Sequence, residues 1–229
     1  MTSAEEERNA YESLEDLAKG WDLLLRDFGL EERRLPWRVL GTPYRNGNRL
    51  FHNEHHVLDC LRRSSDLGPK DLNDWARVKV EAALFLHDWV YDPRSLQNEE
   101  DSAVVAHVVF DGDPWITHAI RATTHTGKPA NVVEAYVMDI DLGTLAADTL
   151  IGDTGQIRME YSHVPEDVFW PRRADLVRGW LEKAEKNELF HTDWGQRKYL
   201  APAVRNLEEH LELIQNRTET GSFPPPKDR

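Results

Sequence analysis

Three histidines crowd into five positions, His52, His55 and His56, and a fourth, His87, is followed directly by Asp88. Two further carboxylates, Asp139 and Asp141, lie in Val137-Met-Asp-Ile-Asp-Leu. Imidazole and carboxylate are donors for divalent ions. His52 and His56 are four apart, so a helix through both sets them on one face. The His-Asp dipeptide alone carries little, because ten His and 20 Asp in 229 residues yield roughly one such pair by chance. Its setting carries more. Ala82-Ala-Leu-Phe-Leu leads into it, and a polar pair in an apolar setting is costly to bury. A metal would bring the two groups together inside a helical bundle. A helix C-terminus at which both face water is the other reading, and spacing does not separate the two.

The elements that must position these residues read as helices nearly throughout. Ser3-x-x-Glu6 has the form of a capping box, and apolar residues from Tyr11 to Phe28 then recur at three- and four-residue steps until Gly29. Pro36 to Gly47 reads as an irregular connection. Helices are expected over about 48–67, 72–90 (ending on His87-Asp88) and 96–110. Asp113-Pro114 starts another, running to about His125, and Asn131-x-x-Glu134 opens the next. Three more follow at about 148–161, 166–186 and 193–217. No polar/apolar alternation is sustained, so no strand is expected and the fold class is all-α, one helical domain over 1–217. The tail from Thr218, with three consecutive prolines, is expected to be disordered.

Composition limits the function. Hydrophobic residues make up 40% of the chain, enough for a core, and no apolar run has the length of a membrane span. Met1 to Ala10 is acidic without an apolar signal region, so a cytoplasmic location and no membrane partner are expected. The net charge of -13 argues against a nucleic-acid partner, which calls for a basic face, while a small anionic substrate stays compatible if a cation is bound. Cys60 is the single cysteine, so no internal disulfide and no multi-thiolate zinc site can form, and it reads as a small core residue. No P-loop, dinucleotide fingerprint or nucleophile-elbow serine occurs.

Several blocks taken in order have a more specific likeness. Phe51-His-Asn-Glu-His-His-Val, Leu86-His-Asp-Trp-Val-Tyr-Asp-Pro, Asn98-Glu-Glu-Asp-Ser-Ala and Met138-Asp-Ile-Asp-Leu resemble successive blocks of one branch of the HD superfamily, described as predicted metal-dependent phosphohydrolases. Ile157-Arg-Met-Glu-Tyr and Ala203-Val-Arg-Asn-Leu-Glu-Glu resemble its later blocks, so the likeness runs from about Tyr11 to Leu213. It implies a compact HD-type bundle with additional C-terminal helices. It also implies a metal held by His56, His87, Asp88 and Asp141, with Asp139 as the fallback for Asp141. Otherwise Asp139 is an exposed helical carboxylate.

Two His and two Asp suit a divalent ion such as Mn, Fe, Co, Mg or Zn that acidifies water for attack on phosphorus. Asp88 could orient that water, and Glu99 and Glu100 are candidate acids or bases; as plain structure, both are helix-N-terminal acids favoured by the macrodipole. Arg49 and Arg158 are candidate phosphate contacts, or surface charges. His52 is a candidate substrate contact or ligand support, and His125 a candidate substrate contact or extra ligand, ahead of His118. The expected substrate is a nucleotide or another small phosphorylated metabolite. Two other functions follow from the same likeness: a di-iron oxygenase, which needs extra histidine ligands, and an inactive nucleotide-binding module. Homo-oligomerisation through the long C-terminal helix is a further option.

Overall fold

The computed structural model describes residues 11–33 and 35–220. Among them are ten α-helices and no strand, so the protein is all-α. The helices are α1 (Leu14–Asp27), α2 (Trp37–Leu40), α3 (Glu54–Ser65), α4 (Asp74–Leu86), α5 (Asn98–Val109), α6 (Pro114–Ala122), α7 (Val132–Leu142), α8 (Leu150–Glu160), α9 (Glu166–Glu185) and α10 (Asp193–Thr220). By its contacts the chain divides into two compact units, Met1–Asp141 and Leu142–Arg229. No described helix is long and apolar enough to cross a membrane. The Ser3-x-x-Glu6 box and residues 221–229 of the tail lie outside the described residues, whereas Thr218–Thr220 continue α10.

Local chemistry sets the helix starts in the first unit. The Asp16 carboxylate takes the N–H groups of Glu12 and Ser13 and the Ser13 hydroxyl, which starts α1 at Leu14. Asn53 accepts from His55 N at 2.8 Å, Asn73 from Ala76 N at 2.9 Å and Asp113 from Trp115 N at 2.9 Å. Asn131 caps α7, while Glu134 reaches back to Ala130 N at 2.7 Å. The stretch read as irregular over 36–47 contains α2 and a 3-10 turn at Thr42–Arg45, and it delivers Trp37 and Tyr44 to the core.

An aromatic cluster then fixes the C-terminal end of α4. Phe85 meets Trp21 and Trp37 edge-on, with centroids 5.3 and 5.1 Å away, and Trp37 stacks on Tyr44 at 5.9 Å. Their polar handles are used as well: Tyr44 Oη donates to Phe85 O at 3.0 Å, and Trp37 Nε1 to Glu54 at 2.9 Å. Glu54, the first residue of α3, also holds Arg45 through two bonds of 2.7 and 2.8 Å. The residues before His87 and those before His56 are therefore tied to one buried cluster.

The second unit comprises a 3-10 turn at Gly143–Ala146 and α8 to α10. Asn206 on α10 donates to Leu145 O and Ala147 O, both at 3.0 Å, and pins that turn. Arg217 pairs with Glu166 at 2.7 Å, joining α10 to the start of α9. Inside this unit Arg173 and His210 are buried, and Arg173 donates to Thr154 Oγ1 at 3.1 Å.

Candidate metal centre

His56 and Cys60 are four apart on α3 and both are buried. His87 caps the end of α4, and Asp88 follows it. Asp141 is in the last turn of α7. These elements bring the four expected ligands together. His56 Nε2 lies 3.1 Å from His87 Nε2, 3.2 Å from Asp141 Oδ1 and 3.5 Å from Asp88 Oδ2. His87 Nε2 lies 3.1 Å from Asp88 Oδ2 and 3.7 Å from Asp141 Oδ1. Donors about 2.0–2.2 Å from a common ion are about 3.0 Å apart as octahedral neighbours and about 3.4 Å apart in a tetrahedron. The observed spacings match such a shell, so the residues fit a metal.

The ring orientation fits too. His87 Nδ1 sits 2.9 Å from Leu84 O, so Nδ1 donates there and Nε2 faces the other donors. Burial pushes the His87 imidazole down, but the Asp88 and Asp141 carboxylates outweigh it and hold it up at about 9. Burial pushes Asp88 up, yet the His87 imidazole beside it holds the carboxyl below the usual range. Asp141 is held well below it in the same way, against burial, by bonds to His125 and His56. The protein thus stabilises two carboxylates in a place that favours positive charge, which a bound cation supplies.

The segment after α4 is held through its backbone. Arg49 donates to Asp88 O at 2.6 Å and Trp89 O at 2.9 Å, and its guanidinium lies over Tyr44 and Tyr91. Trp89 Nε1 donates to Leu40 O at 2.8 Å, and Val90 N to the buried Ser102 hydroxyl at 2.9 Å. Carbonyls that a helix end leaves unpaired are satisfied here by side chains, which fixes the direction of Asp88.

The other candidates fall differently. His52 precedes the Asn53 cap and is not on the α3 helix, so the shared helical face with His56 does not exist; the cap stops the helix between them. His52 instead stacks on Tyr91 at 4.1 Å. Its ring centroid is 6.0 Å from that of His56. His125 lies beyond the end of α6, with φ +53, and its Nε2 is 2.9 Å from Asp141 Oδ2. A non-glycine residue held left-handed beside a donor cluster is strain in a place where function concentrates it. Arg49 is committed to carbonyls, as described. Glu100 is committed to Arg121 through bonds of 2.5 and 2.8 Å, while the Glu99 carboxylate has no bond or ion pair among the described residues. Arg158 belongs to the second unit, where it donates to Tyr161 O at 2.7 Å and lies over Phe169. Asp139 is fully buried rather than an exposed helical carboxylate.

Cys60 is the residue that sequence reasoning placed in the core and left out of the site. Donor atoms of His56, Cys60, His87 and Asp141 all lie within 4.8 Å of one another. The signal was present as His56-x-x-x-Cys60, one helical turn on one face.

A cavity of about 400 Å³ is lined by residues of α6, the loop after it and α7. Glu134, Met138 and Asp141 share a face of α7, and the first two line the cavity with His118, Arg121 and Lys128.

Neither a family model, nor a curated protein, nor a solved structure matches the chain in comparisons with known proteins.

Proposed function

We propose that this chain is a metal-dependent phosphohydrolase of the HD superfamily, acting on a nucleotide or another small phosphorylated metabolite. One observation carries the reading: the donor atoms of His56, His87, Asp88 and Asp141, drawn from three different helices and their ends, converge at the spacing of a coordination shell. An all-helical chain with such a group is compatible with that superfamily. A divalent ion bound there supplies Lewis acidity toward a phosphoryl oxygen and lowers the pKa of water.

The chain's own residues divide the remaining work. His56 and His87 bind through Nε2, with His87 held in the correct tautomer by Leu84 O. Asp88, whose backbone the Arg49 clamp holds, would orient the attacking water. His125, bonded to Asp141 Oδ2, faces the same centre and contacts the substrate. The cavity along α6 and α7, with Lys128 in its wall, receives the rest of an anionic substrate.

Metal analysis of protein purified without added metal, with a screen of phosphorylated metabolites, tests this. The expected result is one ion per chain and phosphate release that is abolished in His87→Ala and Asp88→Ala. A metal-loaded wild type that releases phosphate from no candidate sinks the hydrolase.

A second reading is favoured by His125, whose Nε2 lies 2.9 Å from Asp141 Oδ2 and which would be the extra histidine ligand that a di-iron oxygenase needs. Two irons per chain with oxygen consumption would then replace phosphate release.

A further inference from the structure

We propose that Cys60 supplies a thiolate sulfur to the ion held by His56, His87 and Asp141, making the centre a mixed nitrogen, oxygen and sulfur site. This rests on the reading of the His/Asp cluster as a metal centre and adds a donor that reading does not include. Cys60 follows His56 by one helical turn on α3, so both side chains leave the same face. Its Sγ is 3.8 Å from His56 Nε2. A metal with an M–S bond of about 2.3 Å and an M–N bond of about 2.0–2.1 Å places these two atoms about 3.5 Å apart in a tetrahedron. The sulfur is therefore within a few tenths of an ångström of a ligand position. The donor atoms of His87 and Asp141 lie within 4.8 Å of the sulfur.

Burial and the nearby carboxylates of Asp141, Asp88 and Asp59 push the Cys60 thiol up, so it is the bound cation that would favour the thiolate, with help from Arg63. Cys60 is fully buried, and its sulfur faces these polar donors, where a thiol serving only as apolar filler gains nothing. Arg63 Nη1 approaches Sγ at 3.8 Å from the next turn, a cation placed against the charge a thiolate would carry. On coordination the S–H bond breaks, the sulfur–metal bond forms and the proton leaves to solvent. The consequence is metal selection. A thiolate favours Zn, Co or Fe over Mg, Mn or Ca, which take oxygen donors.

Cobalt(II) added to the metal-free full chain tests the assignment without reference to activity. Cys60 is the chain's only cysteine, so a sulfur-to-cobalt charge-transfer band in a thiol-free buffer has one source. The expected spectrum has that near-ultraviolet band together with visible d–d bands. Cys60→Ser keeps the d–d bands, loses the charge-transfer band and shifts relative affinity from Zn toward Mg and Mn. A wild-type cobalt protein with d–d bands and no sulfur band overturns the Cys60 assignment and leaves the His/Asp centre standing. No cobalt binding at all removes both. The wild-type spectrum decides alone if Cys60→Ser does not fold, and Cys60→Ala offers a second background.

Discussion

Arg49 shows how a side chain can matter to a centre through the backbone of a donor residue. Its guanidinium spans Asp88 O and Trp89 O, and it lies over two aromatic rings. Arg49→Met leaves both carbonyls to water and frees the segment that aims Asp88. The expected cost is about 1–3 kcal/mol of stability in urea unfolding. Zinc or cobalt affinity is expected to fall by roughly 10–100-fold, as for loss of an outer-shell partner. Arg49→Lys restores charge but not the forked donor geometry, so it recovers only part of the affinity. Equal metal affinity in Arg49→Met and wild type would refute the positioning role. Glu99 and Glu100 differ from one another at this scale: the Arg121 pair occupies Glu100, while Glu99 remains available as an acid or base.

At the scale of elements, the packing of α9 against α10 leaves an unusual group inside. His210 is fully buried, and neither ring nitrogen has a hydrogen-bond partner among the described residues. Burial, reinforced by the Arg173 charge, pushes its imidazole down to about 3. In the unfolded chain a histidine takes up its proton near pH 6.5, whereas this one stays neutral until about pH 3. Its folded pKa is depressed, so the unfolded state binds more protons across that window, and stability is lost as pH falls from about 6.5 toward 3. The slope from this one group is at most about 1.4 kcal/mol per pH unit. His210→Leu removes the contribution. Urea titrations or hydrogen exchange of α9 and α10 between pH 7 and pH 5 should show a shallower pH dependence in the variant, whatever its absolute stability. Identical slopes would show that the native state accepts the proton.

For the whole molecule the dominant fact is a net charge of -13. Such a chain repels itself when folded, and screening relieves that repulsion. Between about 10 mM and 150 mM monovalent salt the Debye length falls from about 30 Å to about 8 Å. The Tm of the metal-free protein is expected to rise across this range in a thermal melt. A Tm that falls would mean that favourable ion pairs, such as Lys79–Asp113 at 2.5 Å, outweigh the net repulsion. The same charge favours capture of divalent cations, whose association should slow as salt is added.

The sequence by itself determined the helices and most of their limits, because these depend on neighbours in the chain. Asn73, Asp113 and Asn131 cap the helices they precede, and the apolar periodicity of α4 and α7 buries those elements. His56, His87, Asp88 and Asp141 could be nominated because their types and order carry a likeness, although spacing alone left His87-Asp88 undecided. What periodicity misjudged was also local: the Asn53 cap shortens α3 and removes His52 from its face. Tertiary structure decided the rest. It placed four donor groups at coordination distance across three helices, turned Arg49 onto backbone carbonyls and Glu100 onto Arg121, and brought Cys60 into the donor cluster. The physical reason is one of range. Caps and amphipathic faces are set by residues three or four apart, whereas a metal shell is set by where separate helices end, and those ends are fixed only when Trp21, Trp37 and Phe85 pack.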